Sequence, residues 1–247
     1  MTASERAGRA LADVMSFVDT VLDDFDVVEL LTDLARRGVE ATGAASVAVL
    51  LADPTGDLHV MSTAAPRSSD VALWELQRTD GPCRQCHDTG AVVTVGDLGT
   101  ARDRWPAFAP AALDDGFVAA HAVPMRAAGR VLGSLGLLGR EPGELDTTGV
   151  TVAQALAQVA TVAVVQSTSP TGRDVNEQLY RALTARTVVE QARGLVAQHF
   201  DVSVDRALDL LRARAAADHR HLTEVARELM SDSASRAAAF AAMRATG

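Results

Sequence analysis

The chain has 247 residues, 48% of them apolar and only 4% aromatic, with 23 basic against 32 acidic side chains. That apolar share is ample for a packed core and excludes global disorder, and the length suits two domains better than one. A formal charge of −9 excludes a uniformly basic nucleic-acid binder.

The charge is unevenly placed. Residues 1–173 hold 13 Arg against 22 Asp and Glu, a net −9; residues 174–247 hold 10 against 10, and three of the six His. An acidic first part repels nucleic acid, whereas a neutral second part can still carry a basic face. Every basic residue is arginine, which reads first as genomic base composition. The amino terminus, MTASERAGRALADVM, lacks the basic-then-apolar pattern of a secretion signal. The longest apolar run, Val150 to Val165, is broken by Thr151, Gln154, Gln158 and Thr161 and reads as too short to span a bilayer. Two cysteines three residues apart do not make a disulfide framework. The expectation is a cytoplasmic protein with no membrane association.

In chain order, residues 5–24 predict a helix with Leu11, Val14, Met15, Val18 and Leu22 on one stripe. Asp26 is placed to cap a second helix, whose stripe is Leu30, Leu31, Leu34 and Val39 and whose stop is Gly43. Two apolar runs, Ser46–Leu51 and Leu58–Met61, flank a Pro/Gly turn and predict a β-hairpin. A short helix over 69–77, a short segment from Gly81 to Gly90 and a strand over 91–95 follow. A loop then leads to a short helix ending near Asp115. Strands over 116–125 and 130–138 meet across a turn at 126–129, and a helix over 146–166 closes the unit. This order predicts an α+β sandwich, an antiparallel sheet with helices on one side.

Ser167-Thr-Ser-Pro-Thr-Gly172 opposes a continuous helix and marks a linker over 167–173. Beyond it, three amphipathic stripes recur at three- and four-residue steps: Leu179, Ala182, Leu183, Val189, Ala192 and Val196; Val204, Ala207, Leu208, Leu211 and Ala215; and Leu222, Val225, Ala226, Leu229 and Met230. Ser203 is the predicted cap of the second. Helices this short bury their apolar faces only against one another, so they form an all-α three-helix module. Residues 231–247 are Ala-rich and can extend a helix, although tails fray.

Arg186, Val189-Glu190-Gln191-Ala192-Arg193-Gly194-Leu195, Ala207…Leu211-Arg212…Ala215 and Leu222…Val225-Ala226 closely resemble an ANTAR domain, the three-helix RNA-binding module of bacterial transcription antitermination regulators. Two positions depart from the family's habit: Arg193 replaces a usual lysine, and Leu208 a usual aromatic residue. The second change reads either as a weakened stacking contact or as a core swap. Upstream, Gly81-Pro82…Thr89-Gly90…Val93-Thr-Val…Asp97…Trp105-Pro106…Gly116…Val123-Pro124…Gly129…Leu132-Gly133-Ser-Leu-Gly resembles a GAF domain over roughly 25–166. The two resemblances divide the chain into an amino-terminal helix (1–24), a sensory domain (25–166), the linker, an RNA-binding domain (174–235) and a tail (236–247). They are a familiar pairing in actinobacterial regulators.

What they imply is a non-enzymatic regulator. The GAF-like unit would sense a small-molecule signal or mediate homodimerisation, with residues 5–24 and 146–166 as pairing surfaces. The ANTAR-like unit would bind stem-loops in a nascent transcript and prevent a terminator from forming. Candidate RNA contacts are Arg186, Gln191, Arg193, Gly194, Arg212, Arg214 and Arg220, because guanidinium forks grip phosphate and stack on unpaired bases. Arg186 and Arg193, seven apart, should share a face, and Gly194 suggests close approach of another helix or of RNA. The competing reading is that these arginines only solvate the outer face, paired with Glu190, Asp209 or Glu224. A GAF pocket would involve Trp74, Cys83, Trp105, Phe108 and His121. Cys83-Arg-Gln-Cys86-His87 also matches a haem-attachment pattern, but two ordinary reduced cysteines are the favoured reading, so no metal or cofactor is expected. A DNA-binding regulator and a cysteine-based GAF redox enzyme are the alternatives.

Overall fold

The computed structural model describes residues 12, 16, 17, 20, 24–64, 68–143, 145–166 and 175–246. The linker, and all but four residues of the expected amino-terminal helix before Asp24, lie outside the described residues.

Helix α1 (Val27–Thr42) begins where Asp26 Oδ1 accepts from the backbone N–H of Val28 and Glu29 at 2.9 and 3.2 Å. It stops at Gly43, whose φ of 74° suits a residue without a Cβ. Strands β1 (Ser46–Ala52) and β2 (Leu58–Ala64) form the expected hairpin. Helices α2 (Ser68–Leu76) and α3 (Pro82–Thr89), strand β3 (Val93–Val95) and helix α4 (Phe108–Asp114) make the crossover. Strands β4 (Ala119–Ala127) and β5 (Arg130–Gly139) and helix α5 (Thr147–Gln166) complete the unit. The five strands run in the order β2-β1-β5-β4-β3, each pair antiparallel.

Strand alternation sorts the side chains into two layers. Val47, Val49 and Leu51 of β1 join Leu31, Leu34 and Leu156 under α1 and α5. Ala48, Leu50 and Ala52 face the opposite way and join Trp74, Trp105 and Phe108. Helices therefore cover both faces of the sheet, not one side as the sequence suggested. The apolar periodicity of the crossover segments was too short to reveal which face they would cover.

Helix α5 is long and apolar enough to cross a membrane by length and composition, with a mean hydropathy of 1.6. Here Val152, Leu156, Val159, Ala160 and Val164 are buried against the sheet and α1. It behaves as a core helix, and much of the surface proposed for pairing is covered by its own chain.

Helices α6 (Val175–Phe200), α7 (Val204–Ala217) and α8 (Leu222–Met230) realise the three amphipathic stripes, with Ser203 capping α7 through the Arg206 N–H. Asp201 and His219, both at φ 52°, turn the chain between them. The Ala-rich stretch read as a possible helix extension forms a separate fourth helix, α9 (Ser233–Thr246), held by buried Ala239, Phe240 and Met243. A single apolar cluster runs from the α1/α5 layer into these four helices, so the two domains share one core.

Candidate nucleic-acid interface

Helix α6 shows how the candidate residues are positioned. Leu179, Ala182, Ala185, Val189, Ala192 and Val196 are buried along one side. On the opposite side Arg181, Thr184, Thr187, Gln191, Gly194 and Gln198 are exposed at steps of three or four, a polar strip 26 residues of helix long enough to display. Thr184 and Thr187 turn their hydroxyls back to the carbonyls of Tyr180 and Leu183. Among the described residues, apart from the helix's own neighbouring backbone, nothing lies within 4 Å of where a Gly194 Cβ would stand. The expected close approach of another helix at Gly194 is thus not found; the bare backbone opens outward.

The arginines are arranged differently from the strip. Arg186 and Arg193 share Glu190, at 2.8 and 3.5 Å. Arg193 also donates through Nε to the Val204 carbonyl at 2.8 Å and through Nη2 to Asp205 at 2.7 Å, tying α6 to the first turn of α7. Arg186 is largely buried: desolvation pulls its pKa down, Glu190 opposes that, and Glu75 of α2 adds a smaller attraction from the sensory domain. Arg212 pairs across the domain junction with Glu29 of α1 at 3.4 Å. Burial, followed by the charge of Asp26, pushes the Glu29 carboxyl up, against the pull of Arg212. Arg214 pairs with Asp218 at 2.7 Å, and Arg220 with Glu228 and Glu224. The five arginines therefore gather around four separate carboxylate groups instead of one open row. Of the partners foreseen for them, Glu190 and Glu224 are engaged; the Arg212–Glu29 pair was invisible in sequence because its partners are 183 residues apart. Gln191 and Gly194 alone among the candidates sit on the open strip, and the neighbouring Thr187 and Gln198 were missed. Their i, i+3, i+4 spacing to Gln191 and Gly194 was the available signal.

Leu208 packs against the shared core, so its departure from an aromatic residue is a core swap. Close to the junction, Asp26 uses its second oxygen on the other domain: Oδ2 accepts from the Thr223 backbone N–H at 2.7 Å and from its hydroxyl. His221 Nε2 lies 3.0 Å from Asp24.

In the sensory unit, Trp74, Cys83, Trp105 and Phe108 come together, but as packed core. The Trp74 indole donates to Ser46 Oγ at 3.0 Å, and a Cβ on Gly136 would stand 2.5 Å from both Cys83 Sγ and the Trp74 ring. His121 does not join them. It stands across from Leu137, a side chain of the α1/α5 layer, so it points to the other face of the sheet. Burial holds its imidazole down at about 4, and its Nδ1 has no hydrogen-bond partner among the described residues. Cys83 and Cys86 are free and buried. Burial pushes both thiols up, Cys86 to about 12, which disfavours the thiolate form. Among the described residues no group of His, Cys, Asp and Glu is arranged to hold a metal ion.

Comparison with known proteins follows the same division. The profile of the GAF domain family matches residues 26–165, more than half of the chain, and that of the ANTAR domain matches residues 177–230. No curated protein matches. Among solved structures, free methionine-R-sulfoxide reductase from Neisseria meningitidis is 22% identical with a TM-score of 0.53, covering 68% of this chain and 95% of that one. The GAF domain of Acinetobacter phosphoenolpyruvate-protein phosphotransferase is 11% identical with a TM-score of 0.52, covering 70% and 100%. The corresponding domain from Coxiella burnetii is 16% identical with a TM-score of 0.52, covering 64% and 94%. Identities this low carry the fold alone. With its sheet covered on both faces and its regulatory helices packed behind it, the chain belongs to the GAF domain family and is a regulator that joins a GAF sensory domain to an ANTAR domain.

Proposed function

We propose that the chain is a cytoplasmic transcription antitermination regulator whose ANTAR domain binds stem-loops in a nascent RNA. The observation that carries this reading is the open strip of α6, where Thr187, Gln191, Gly194 and Gln198 are exposed and backbone is accessible at Gly194. Amide side chains read unpaired base edges, and a bare glycine lets a sugar–phosphate backbone come close. Arg186 and Arg193 flank the strip, held by Glu190 and Asp205, and Arg193 also fixes α7; they reach phosphate only by exchanging those carboxylates. Arg214 and Arg220 lie at the α7–α8 corner as a secondary contact. Arg212 reaches RNA by exchanging Glu29 for phosphate; both side chains are more than a third exposed, so this pair is weak.

The GAF domain supplies dimerisation and signal input. Two ANTAR domains held together engage two loops of one transcript, and the second contact then gains from effective concentration. The packed Trp74–Phe108 region leaves the small-molecule signal to a site that opens on binding or lies elsewhere. The buried, protonated thiols argue against the cysteine-based enzyme.

Electrophoretic mobility shift with a two-hairpin RNA tests the reading. The double variant Gln191→Ala, Gln198→Ala changes no described hydrogen bond and should weaken binding at least tenfold with unchanged folding. Equal affinity would remove the strip from the RNA site.

A further inference from the structure

The carboxyl-terminal helix α9 lies beyond the residues that match the ANTAR domain. Its packing brings two of its arginines beside the end of α6. His199 and Phe240 stack face to face, with centroids 3.7 Å apart and planes within 3°. Phe200 stands edge-on to both, at 4.9 and 5.7 Å. Around this aromatic group, His199, Ser233, Arg236, Phe240 and Arg244 line a concavity of about 310 Å³.

Two arginines here stand beside aromatic rings without a direct salt bridge. Arg181, Arg186, Arg193, Arg212, Arg214 and Arg220 each pair with a carboxylate. Among the described residues, Arg236 and Arg244, like Arg206 and Arg227, form no direct salt bridge; unlike those two, they line the concavity beside the stacked rings. Arg236 spends Nε on the Leu229 carbonyl at 2.9 Å, which aims the guanidinium without neutralising it. Arg244 Nη2 lies 3.0 Å from His199 Nε2, so that nitrogen presents its lone pair, and its guanidinium is 5.9 Å from the Phe200 ring centre. The acid nearest in sequence, Asp232, senses Arg236 but is committed to the N–H groups of Ala234 and Ser235. A cationic pair free of direct salt bridges beside stacked rings, on a chain of net charge −9, is the composition of a site for the backbone and bases of single-stranded nucleic acid.

We propose that His199, Arg236, Phe240 and Arg244 form a second RNA contact, taking a single-stranded phosphodiester segment that flanks the stem-loop held by α6. This rests on the RNA-binding reading above. Arg236 and Arg244 bind phosphates, and the His199–Phe240 stack offers its edge to a base. The fourth helix thereby extends the RNA footprint past the three-helix module.

The test is filter binding of the full chain to a stem-loop with and without a single-stranded flank, over a salt series. The wild type should prefer the flanked RNA by about tenfold or more. In Arg236→Gln, Arg244→Gln that preference should vanish, and the slope of log affinity against log salt should fall by about 1.4, two contacts at about 0.7 each. Because Arg236 also bonds α8, the single variant Arg244→Gln is measured alongside, with an expected slope change of about 0.7. Wild-type binding with unaltered slope and flank preference in both variants would overturn this site and leave the α6 reading standing. Absence of wild-type binding to either RNA would overturn both.

Discussion

Asp26 and Thr223, 197 residues apart, are joined by two hydrogen bonds through one carboxylate oxygen, while the other oxygen caps α1. A single buried side chain thus serves the first turn of a sensory helix and the first turn of α8. Removing a helix cap costs about 1 kcal/mol, so Asp26→Ala should lower unfolding stability by about 2 kcal/mol. Thr223→Val, which keeps the α1 cap and the Thr223 N–H bond, should cost less. Urea denaturation reads the difference, and amide exchange at the start of α8 should speed up in Asp26→Ala. Equal stability of Asp26→Ala and wild type would mean that the carboxylate holds neither helix.

His121 gives the chain an acid sensitivity. Its imidazole is held at about 4, against 6.5 when unhindered, by burial. In the unfolded chain it takes up a proton below 6.5, whereas in the fold it does not until about 4. Stability is therefore full above 6.5 and declines as pH falls towards 4, by about 3 kcal/mol at roughly 1.4 kcal/mol per unit. Thermal or urea unfolding across this window should show the decline. His121→Leu should flatten it, and an unchanged profile would assign the sensitivity elsewhere.

Gly194→Ala separates folding from binding. Alanine improves a helix interior by about 1 kcal/mol, and its Cβ meets nothing within 4 Å, so melting temperature should rise. RNA affinity should fall, because the methyl occupies the open backbone. Tighter or equal RNA binding would show that no RNA approaches α6 there.

Glu29→Gln should release Arg212 from the junction and raise RNA affinity a few-fold, with little change in stability, as expected for a half-exposed pair. Mobility shift measures it, and weaker binding would show that Arg212 does not contact RNA.

Two glycines of β5 set a steric limit. A Cβ on Gly133 would stand 2.0 Å from the Leu50 carbonyl oxygen, a backbone atom of the neighbouring strand, whereas one on Gly136 would strike the Cys83 and Trp74 side chains at 2.5 Å. Overpacking a core costs about 1–3 kcal/mol. Gly136→Ala should fall within that range, and Gly133→Ala should do worse by displacing β1 from β5. Calorimetry ranks them.

Much of this was legible in sequence because it is local. The Asp26 cap, the Gly43 stop, the 46–61 hairpin and the stripes of α6 to α8 each follow from residues within a few turns of one another. The helices on the second face of the sheet were not legible, since α2 and α3 are too short for periodicity to assign a face. The opposite facing of His121 and Trp74 depends on β4 register, which one slipped residue would invert. The charge balance of residues 174–247 could not show which guanidiniums are neutralised, because Glu29 and Asp205 reach them only after folding; Asp218, four residues past Arg214, was a local partner that went unread. Phe240 and Met243 looked like a tail because two large apolar residues in an Ala-rich stretch give little contrast.

A fragment cut after Met230, where the ANTAR match ends, would lose Ala239, Phe240 and Met243 and leave their apolar seat on α7 and α8 bare to water. Such a piece would be prone to self-association, and binding studies on it would report on a damaged surface. Dissecting this regulator by domain calls for an excision that carries the last helix with the three before it.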